Sequence, residues 1–312
     1  MKKINLYLLT GFLGSGKTTF LKEALEHLKN EKVGVIMNEF GKIGIDGTLI
    51  KRNGMELLEI NRGSIFCSCL KLSFASAMIE MAERDMDYLF VESSGLSDPS
   101  NVDDILEGVA SVKGEVYEYK AAICLVDAPN FLKQIEDEDL ETVKRQLKHC
   151  HMAIVNKVDL VDDKTLKKVL DKISEINDKA AIEIASFGNI SFDFLNKDLM
   201  KNQWAQSEDT TNTKDNKPKT LSLTYDGDIT KSKLTEFLDK ISSKAYRIKG
   251  FFKLEDGVNQ VDVVNERIDY KLSSTENAES KLVIISKIGP NIIKPIFSAW
   301  EETVGTKMKL SN

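Results

Sequence analysis

Lys17, Thr18 and Thr19 close the stretch Gly11-Phe12-Leu13-Gly14-Ser15-Gly16-Lys17-Thr18-Thr19. The spacing is GxxxxGK[ST], a cradle for phosphate oxygens. Glycines let successive backbone N–H groups turn inward toward an anion. A helix starting where the loop ends adds partial positive charge. Lys17 supplies a cation for the β- and γ-phosphates, and the Thr18 hydroxyl is a hard oxygen ligand for Mg²⁺. Gly14, Ser15, Gly16 and Thr19 complete the phosphate contacts. The flanks agree with this reading: Ile4 to Leu9 is an apolar strand, and Thr18 to Leu28 carries Phe20, Leu21, Leu25 and Leu28 at helical spacing.

Two further motifs stand at strand ends. Tyr88 to Val91 is followed by Glu92-Ser93-Ser94-Gly95-Leu96-Ser97-Asp98-Pro99. A carboxylate ending an apolar strand is the second Mg²⁺ anchor expected of a P-loop enzyme, so Glu92 takes that role. Gly95 can bring a backbone N–H to the γ-phosphate. Ala153 to Val155 leads into Asn156-Lys157-Val158-Asp159. The Asp159 carboxylate can accept from the N1–H and exocyclic amine of guanine, a donor pair that adenine lacks. The Lys157 stem can lie along the base, and Asn156 can brace the loops. Ala185-Ser186-Phe187 is then the loop behind the base. GTP with Mg²⁺ is the expected ligand.

Two stretches between the phosphate loop and Glu92 exceed what nucleotide binding requires. Asn38 to Gly47 contains Glu39 and three glycines after the strand Val33 to Met37, as a switch loop does. Asn61 to Leu70 contains Cys67 and Cys69. Two thiolates this close can share one Zn²⁺ or Co²⁺, with Glu39 as a further ligand; the alternative is two small buried apolar side chains. His149-Cys150-His151 aims both imidazoles at one ion if its backbone is extended, and apart if it ends a helix.

The elements that position these motifs alternate. Strands at Ala121 to Val126 and Ile182 to Ile184 join those named, with amphipathic helices between. The fold class is therefore α/β, a mainly parallel P-loop NTPase sheet with helices on both faces. Ligands of such sheets bind beyond the carboxyl ends of the strands, where every motif above stands. Residues 1–200 form this domain. Residues 201–219 are polar and read as a linker. Residues 220–312 read as a smaller α+β domain. It has strands at Leu221 to Tyr225, Ala245 to Phe252, Gln260 to Val264 and Leu282 to Ile285, and helices at Ser232 to Ile241 and Asn291 to Glu302.

Composition narrows the partners. With 312 residues, 42% hydrophobic and 29% charged, the chain can build two cores. A net charge of −6 argues against nucleic acid as the main partner. No apolar run reaches a membrane-spanning length, and the apolar start breaks at Gly11, so neither membrane insertion nor secretion is expected. Four cysteines are too few for a disulfide scaffold, and a cytoplasmic location is expected.

Taken together, GFLGSGKTT, NEFG, the cysteine loop, ESSGLSDP and NKVD resemble the CobW-like family of P-loop GTPases, in order and spacing over the first 200 residues. Arg247-x-Lys249-Gly250-Phe251 is similar to the family's carboxy-terminal domain. The resemblance implies a GTPase that handles a transition metal, as an insertion chaperone or in cobalamin-related metabolism. Its client is then a metalloprotein or a corrinoid protein, and a homodimer is a candidate assembly. The family's mobile-loop glutamate falls on Glu39, its Mg²⁺ carboxylate on Glu92 and its guanine aspartate on Asp159. The family's cysteine motif is Cys-x-Cys-Cys after a glycine. Here Gly63 is followed by Ser64, Ile65, Phe66 and Cys67, so only Cys67 falls on a family cysteine and Cys69 is an addition. Asp46 and Glu39 are candidates for positioning the attacking water. The rival readings are a metal-independent GTP switch that assists a corrinoid enzyme, and a plain P-loop ATPase or nucleotide kinase.

Overall fold

A computed structural model of the chain describes residues 2–38, 56–60, 71–136, 141–186, 190–201, 205–211, 218–264, 266–273 and 279–311. The chain divides into two compact units, which among these residues are 2–38 with 56–211, and 218–311.

The first unit is built on seven parallel strands: β1 (Ile4–Thr10), β2 (Val33–Asn38), β3 (Glu56–Ile60), β4 (Tyr88–Glu92), β5 (Tyr117–Asp127), β6 (Met152–Asn156) and β7 (Ala181–Ile184). Their order is β3-β2-β4-β1-β5-β6-β7. Strands β2 to β4 lie on one side of β1 and β5 to β7 on the other, so the order reverses at β1. That reversal opens a crevice at the carboxyl end of β1, where the phosphate loop begins.

Alternation along the strands splits the core in two. Tyr7 and Leu9 of β1, Val35 and Met37 of β2 and Phe90 of β4 pack on one face, against Phe20, Leu21, Ala24 and Leu25 of α1 (Lys17–His27) and against Phe192 and Phe194. Leu6, Leu8, Ile36, Leu89 and Val91 point the other way, toward α2 (Lys71–Met81) and α3 (Val102–Lys113). Strands buried on both faces must be apolar throughout, which is why they read as unbroken apolar runs. Full burial of each Leu or Phe contributes about 1.5–3 kcal/mol, so α1 is fixed to the sheet by its apolar stripe rather than by propensity. Helices α4 (Ala128–Glu136), α5 (Glu141–Lys148) and α6 (Asp163–Ile176) complete the unit. Asp162 starts α6 by accepting from Thr165 N at 2.7 Å.

The second unit is an antiparallel sheet of β8 (Thr220–Thr224), β9 (Ala245–Leu254), β10 (Gly257–Val264), β11 (Arg267–Leu272), β12 (Lys281–Ser286) and β13 (Lys309–Ser311), in the order β11-β10-β9-β12-β8-β13. Helices α7 (Lys231–Ser242) and α8 (Ile293–Thr303) cover one face through Phe237 and Trp300, whose rings meet edge to face at 5.0 Å. Gly250 of β9 lies so close to β12 that a Cβ there would stand 1.9 Å from Lys281 O. The Gly250 of the Arg247-x-Lys249-Gly250 motif is thus a strand-packing residue.

The sequence reading anticipated neither β3 nor β11 nor β13. In β3 the apolar pair Leu57-Leu58 is bounded by Glu56 and Glu59. Such a short run carries little strand signal, and pairing with β2 decides it.

Candidate functional site

The phosphate loop leaves β1 at Thr10. Gly14 and Gly16 both hold positive φ, +78° and +104°. At Gly16 a side chain is excluded by space as well as by conformation, since a Cβ would stand 2.4 Å from Asn156 Nδ2. That same Nδ2 donates to Ser15 O at 3.0 Å. Asn156, the last residue of β6, thus supports the loop from below. Ser15 is fully buried, and its N–H closes the turn onto Phe12 O at 3.2 Å.

Lys17 begins α1 and is buried; its Nζ donates to Gly11 O at 2.7 Å and Phe12 O at 3.1 Å. The ammonium therefore lies over the loop that its helix caps. Thr18 is half-buried, and its Oγ1 donates to Glu92 Oε1 at 2.8 Å. Glu92 ends β4 and is buried. A hydroxyl and a carboxylate in contact beside a phosphate loop are hard oxygen donors of the kind Mg²⁺ takes, so these residues fit that ion. Thr19, exposed, stands in the first turn of α1.

Gly95 runs directly over the phosphate loop: a Cβ there would stand 2.5 Å from Leu13 N. Its carbonyl accepts from Gln146 Nε2 at 3.2 Å, as does that of Ser97 at 2.8 Å. Asn38, at the end of β2, accepts from Ser94 N at 3.4 Å. The ends of β2 and β4 and helix α5 thus hold one loop.

On the other side of the loop, Lys157 adopts φ +62°, an uncommon conformation for a non-glycine residue. Val158–Leu160 form a short 3₁₀ turn that leaves Asp159 exposed, where a carboxylate can receive a donor pair. Ala185 N donates to Val155 O at 2.8 Å, which sets the Ala185-Ser186 segment beside this turn. Phe187 lies outside the described residues.

Asp127 at the end of β5 carries the signal used for Glu92, a carboxylate closing an apolar strand, yet the sequence reading did not single it out. Its Oδ2 accepts from Lys157 Nζ at 3.1 Å and Asn130 Nδ2 at 2.9 Å.

Asp98, Arg145 and Glu208 were also not singled out. Asp98 is fully buried; its Oδ2 accepts from Arg145 Nε at 2.7 Å, Thr211 N at 2.6 Å and Thr211 Oγ1 at 2.9 Å. Burial pushes its carboxyl up, but hydrogen bonds from Thr211 and Ser100 outweigh that and hold it below its ordinary value. Arg145 reaches Glu208 at 3.1 Å and Asp209 O at 2.8 Å, and Glu208 N donates to Ser100 O at 3.0 Å. Residues 205–211, within the stretch read as a linker, are thus tied to the loop that follows Glu92.

Glu39, Asp46, Cys67 and Cys69 lie outside the described residues. His149 follows the last turn of α5, with its N–H on Arg145 O, whereas His151 N–H already pairs with Ala122 O. A helix end is the arrangement that separates the two rings. His149 Nε2 stands 3.8 Å from Glu208, while His151 Nδ1 accepts from Ala122 N at 2.9 Å. Burial lowers both imidazoles, His151 to about 3. Cys150 turns to Cys124; that hydrogen bond, with burial, raises its thiol. Among the described residues no group of three or more His, Cys, Asp or Glu side chains could hold a metal ion. None of the described helices is long and apolar enough to cross a membrane.

The strand order, the glycine loop and the Thr18–Glu92 contact define a P-loop nucleotide-binding α/β protein. Residues 5–183 match the CobW/HypB/UreG nucleotide-binding domain, and the chain belongs to that family. Residues 219–299 match the cobalamin synthesis protein CobW C-terminal domain. The chain is 32% identical to the zinc chaperone CobW of Sinorhizobium sp over 201 residues, 55% of this chain and 56% of that protein. It is 35% identical to the zinc chaperone YeiR of Escherichia coli (strain K12) over 154 residues, 49% of this chain and 46% of that protein. The chain thus spans about half the length of these curated relatives. The crystal structure of Zn(II)-bound YjiA GTPase from E. coli aligns over 97% of this chain and 99% of that one, at 21% identity and a TM-score of 0.49.

Proposed function

We propose that this protein binds and hydrolyses GTP and couples its nucleotide state to the handling of a transition-metal ion for a client metalloprotein. The observation that carries the nucleotide half is the Asn156–Ser15 hydrogen bond at 3.0 Å. It ties the segment suited to guanine directly to the loop suited to phosphate.

In this reading the N–H groups of Gly14 to Thr19 bind the β-phosphate, and Lys17 exchanges carbonyl contacts for β- and γ-phosphate oxygens. Thr18 and Glu92 would hold Mg²⁺, which supplies charge neutralisation at those oxygens. A water attacks the γ-phosphorus in line, the bond to the β–γ bridging oxygen breaks, and GDP and phosphate leave. Lys17 stabilises the charge that develops on the bridging and γ-oxygens. The Gly95 N–H, on a loop lying against Leu13, senses the γ-phosphate. Asp159 selects guanine.

For the metal half, the support is family membership together with relatives named zinc chaperones. Cys67, Cys69 and Glu39 are the ligand set, with Zn²⁺ or Co²⁺ as cargo. Nucleotide can drive release only if the ion binds the GTP and GDP states with different free energies. The test is metal titration of reduced protein with GDP and with a non-hydrolysable GTP analogue. The expected result is a difference of about tenfold, within the usual range of coupling, that disappears in Cys67→Ser/Cys69→Ser. Identical affinity in both nucleotide states refutes the coupling, and identical metal affinity in wild type and the double serine variant refutes this metal site and favours the metal-independent switch.

A further inference from the structure

We propose that Asp127 is a positioning residue for the base side of the nucleotide site and acts through Lys157. The inference rests on the guanine-binding reading of Asn156 to Asp159 given above. Asp127 closes β5 in register with Asn156 at the end of β6. Its side chain is 1% exposed, and among the described residues Lys157 is the cation that reaches it. Its Oδ2 takes both donors, Lys157 Nζ and Asn130 Nδ2, while Oδ1 has no hydrogen-bond partner among the described residues. Burying a carboxylate is costly unless a cation and hydrogen bonds offset it. The Lys157 ammonium and the Asn130 amide are what offset the burial of this carboxylate.

Lys157 is held at both ends. Its backbone is fixed in the left-handed region at φ +62°, and its ammonium is fixed by Asp127. The methylenes between become a rigid apolar edge next to the Asp159 turn. A lysine chain left untethered has many rotamers, and ordering it on binding weakens affinity. Tethering removes that cost before the base arrives. The edge is blind to base substituents, since every purine offers the same face; Asp159 reads the substituents. Asp127 thus sets affinity for purines in general and leaves guanine selectivity to Asp159.

Asp127 also directly precedes α4, the position of a helix N-cap. A cap stabilises the fold whatever Lys157 does, and a double-mutant cycle separates the roles. Affinity for GDP and for IDP, which lacks the exocyclic amine, is measured for wild type, Asp127→Asn, Lys157→Ala and the double variant. Asp127→Asn is expected to weaken both nucleotides about tenfold, equivalent to ~1.4 kcal/mol, with the GDP/IDP ratio unchanged. On the Lys157→Ala background the same change should have less than about a twofold effect. An equal loss on both backgrounds, no loss on either, or a changed GDP/IDP ratio overturns the proposal. If Asp127→Asn does not fold, Lys157→Met, which keeps the stem and removes the ammonium that reaches Asp127, is compared with wild type instead: both nucleotides should weaken about tenfold with the GDP/IDP ratio unchanged, and no loss or a changed ratio overturns the proposal. Wild-type protein that prefers GDP no more than ADP overturns the base-site reading itself, and this is read before the cycle.

Discussion

The Asn156 side chain donates to the Ser15 carbonyl at 3.0 Å, joining residues 141 positions apart in the chain. The amide also fills the space that a side chain at Gly16 would need. The contact links the phosphate loop to the end of β6, which carries the segment read for guanine.

Base selectivity is the first expected consequence. Asp159→Asn replaces a charged acceptor with an amide whose N–H₂ opposes the exocyclic amine of guanine. Loss of a charge-assisted pair should weaken GTP binding about 100-fold. Xanthosine triphosphate, which offers an oxygen at that position, should gain affinity. Competition titrations with GTP and XTP check this; equal GTP affinity in wild type and variant rejects the assignment.

The Thr18–Glu92 contact at 2.8 Å predicts a Mg²⁺-specific phenotype. Thr18→Ala should abolish most of the gain in GTP affinity that Mg²⁺ confers, while binding in EDTA changes little. Lys17→Ala should instead lower turnover by about 10²-fold or more, the scale on which loss of a preorganised stabilising group is felt. Equilibrium binding with and without Mg²⁺, alongside single-turnover hydrolysis, separates the two.

Arg145 and Asp98 form a largely buried pair at 2.7 Å that also anchors Thr211. Arg145→Ala should cost about 3 kcal/mol, the lower end for removing one member of a buried pair. Amide exchange at Glu208 and Thr211, whose N–H groups are bound to Ser100 O and Asp98 Oδ2, should accelerate more than exchange in β1. Unchanged protection of residues 205–211 contradicts the tie.

His151 predicts an acid-side loss of stability. Burial lowers its folded pKa to about 3, and its Nδ1 accepts a hydrogen bond, so the folded form is neutral. The unfolded ring takes up a proton below about pH 6.5. Between those values the unfolded state binds more protons, so stability falls as pH falls, with a limiting slope of about 1.4 kcal/mol per pH unit. The contribution is fully present above the unfolded pKa and lost as pH drops toward the folded one. His151→Gln should flatten the slope of denaturation midpoint against pH over this window. An unchanged slope means that other groups carry it.

The sequence by itself determined what depends on neighbours in the chain. The glycine spacing before Lys17, the carboxylate of Glu92 closing an apolar strand and the Asn156 to Asp159 turn are local arrangements. Backbone sterics and strand periodicity act within a few residues, so a reader of the sequence can place them. Only the tertiary structure decided which strand ends meet. Strand order brings β6 beside β5, and thereby Lys157 to Asp127; no local rule favours that pair over any other Lys and Asp. The tie of Asp98 and Arg145 to residues 205–211 is of the same kind. A polar run of Ser, Glu, Asp and Thr reads as a linker because it has no apolar face to bury, yet it is held by hydrogen bonds to a buried carboxylate distant in sequence. Such contacts form because packing brings unlike segments together and excludes water from the groups that meet, which no single segment encodes.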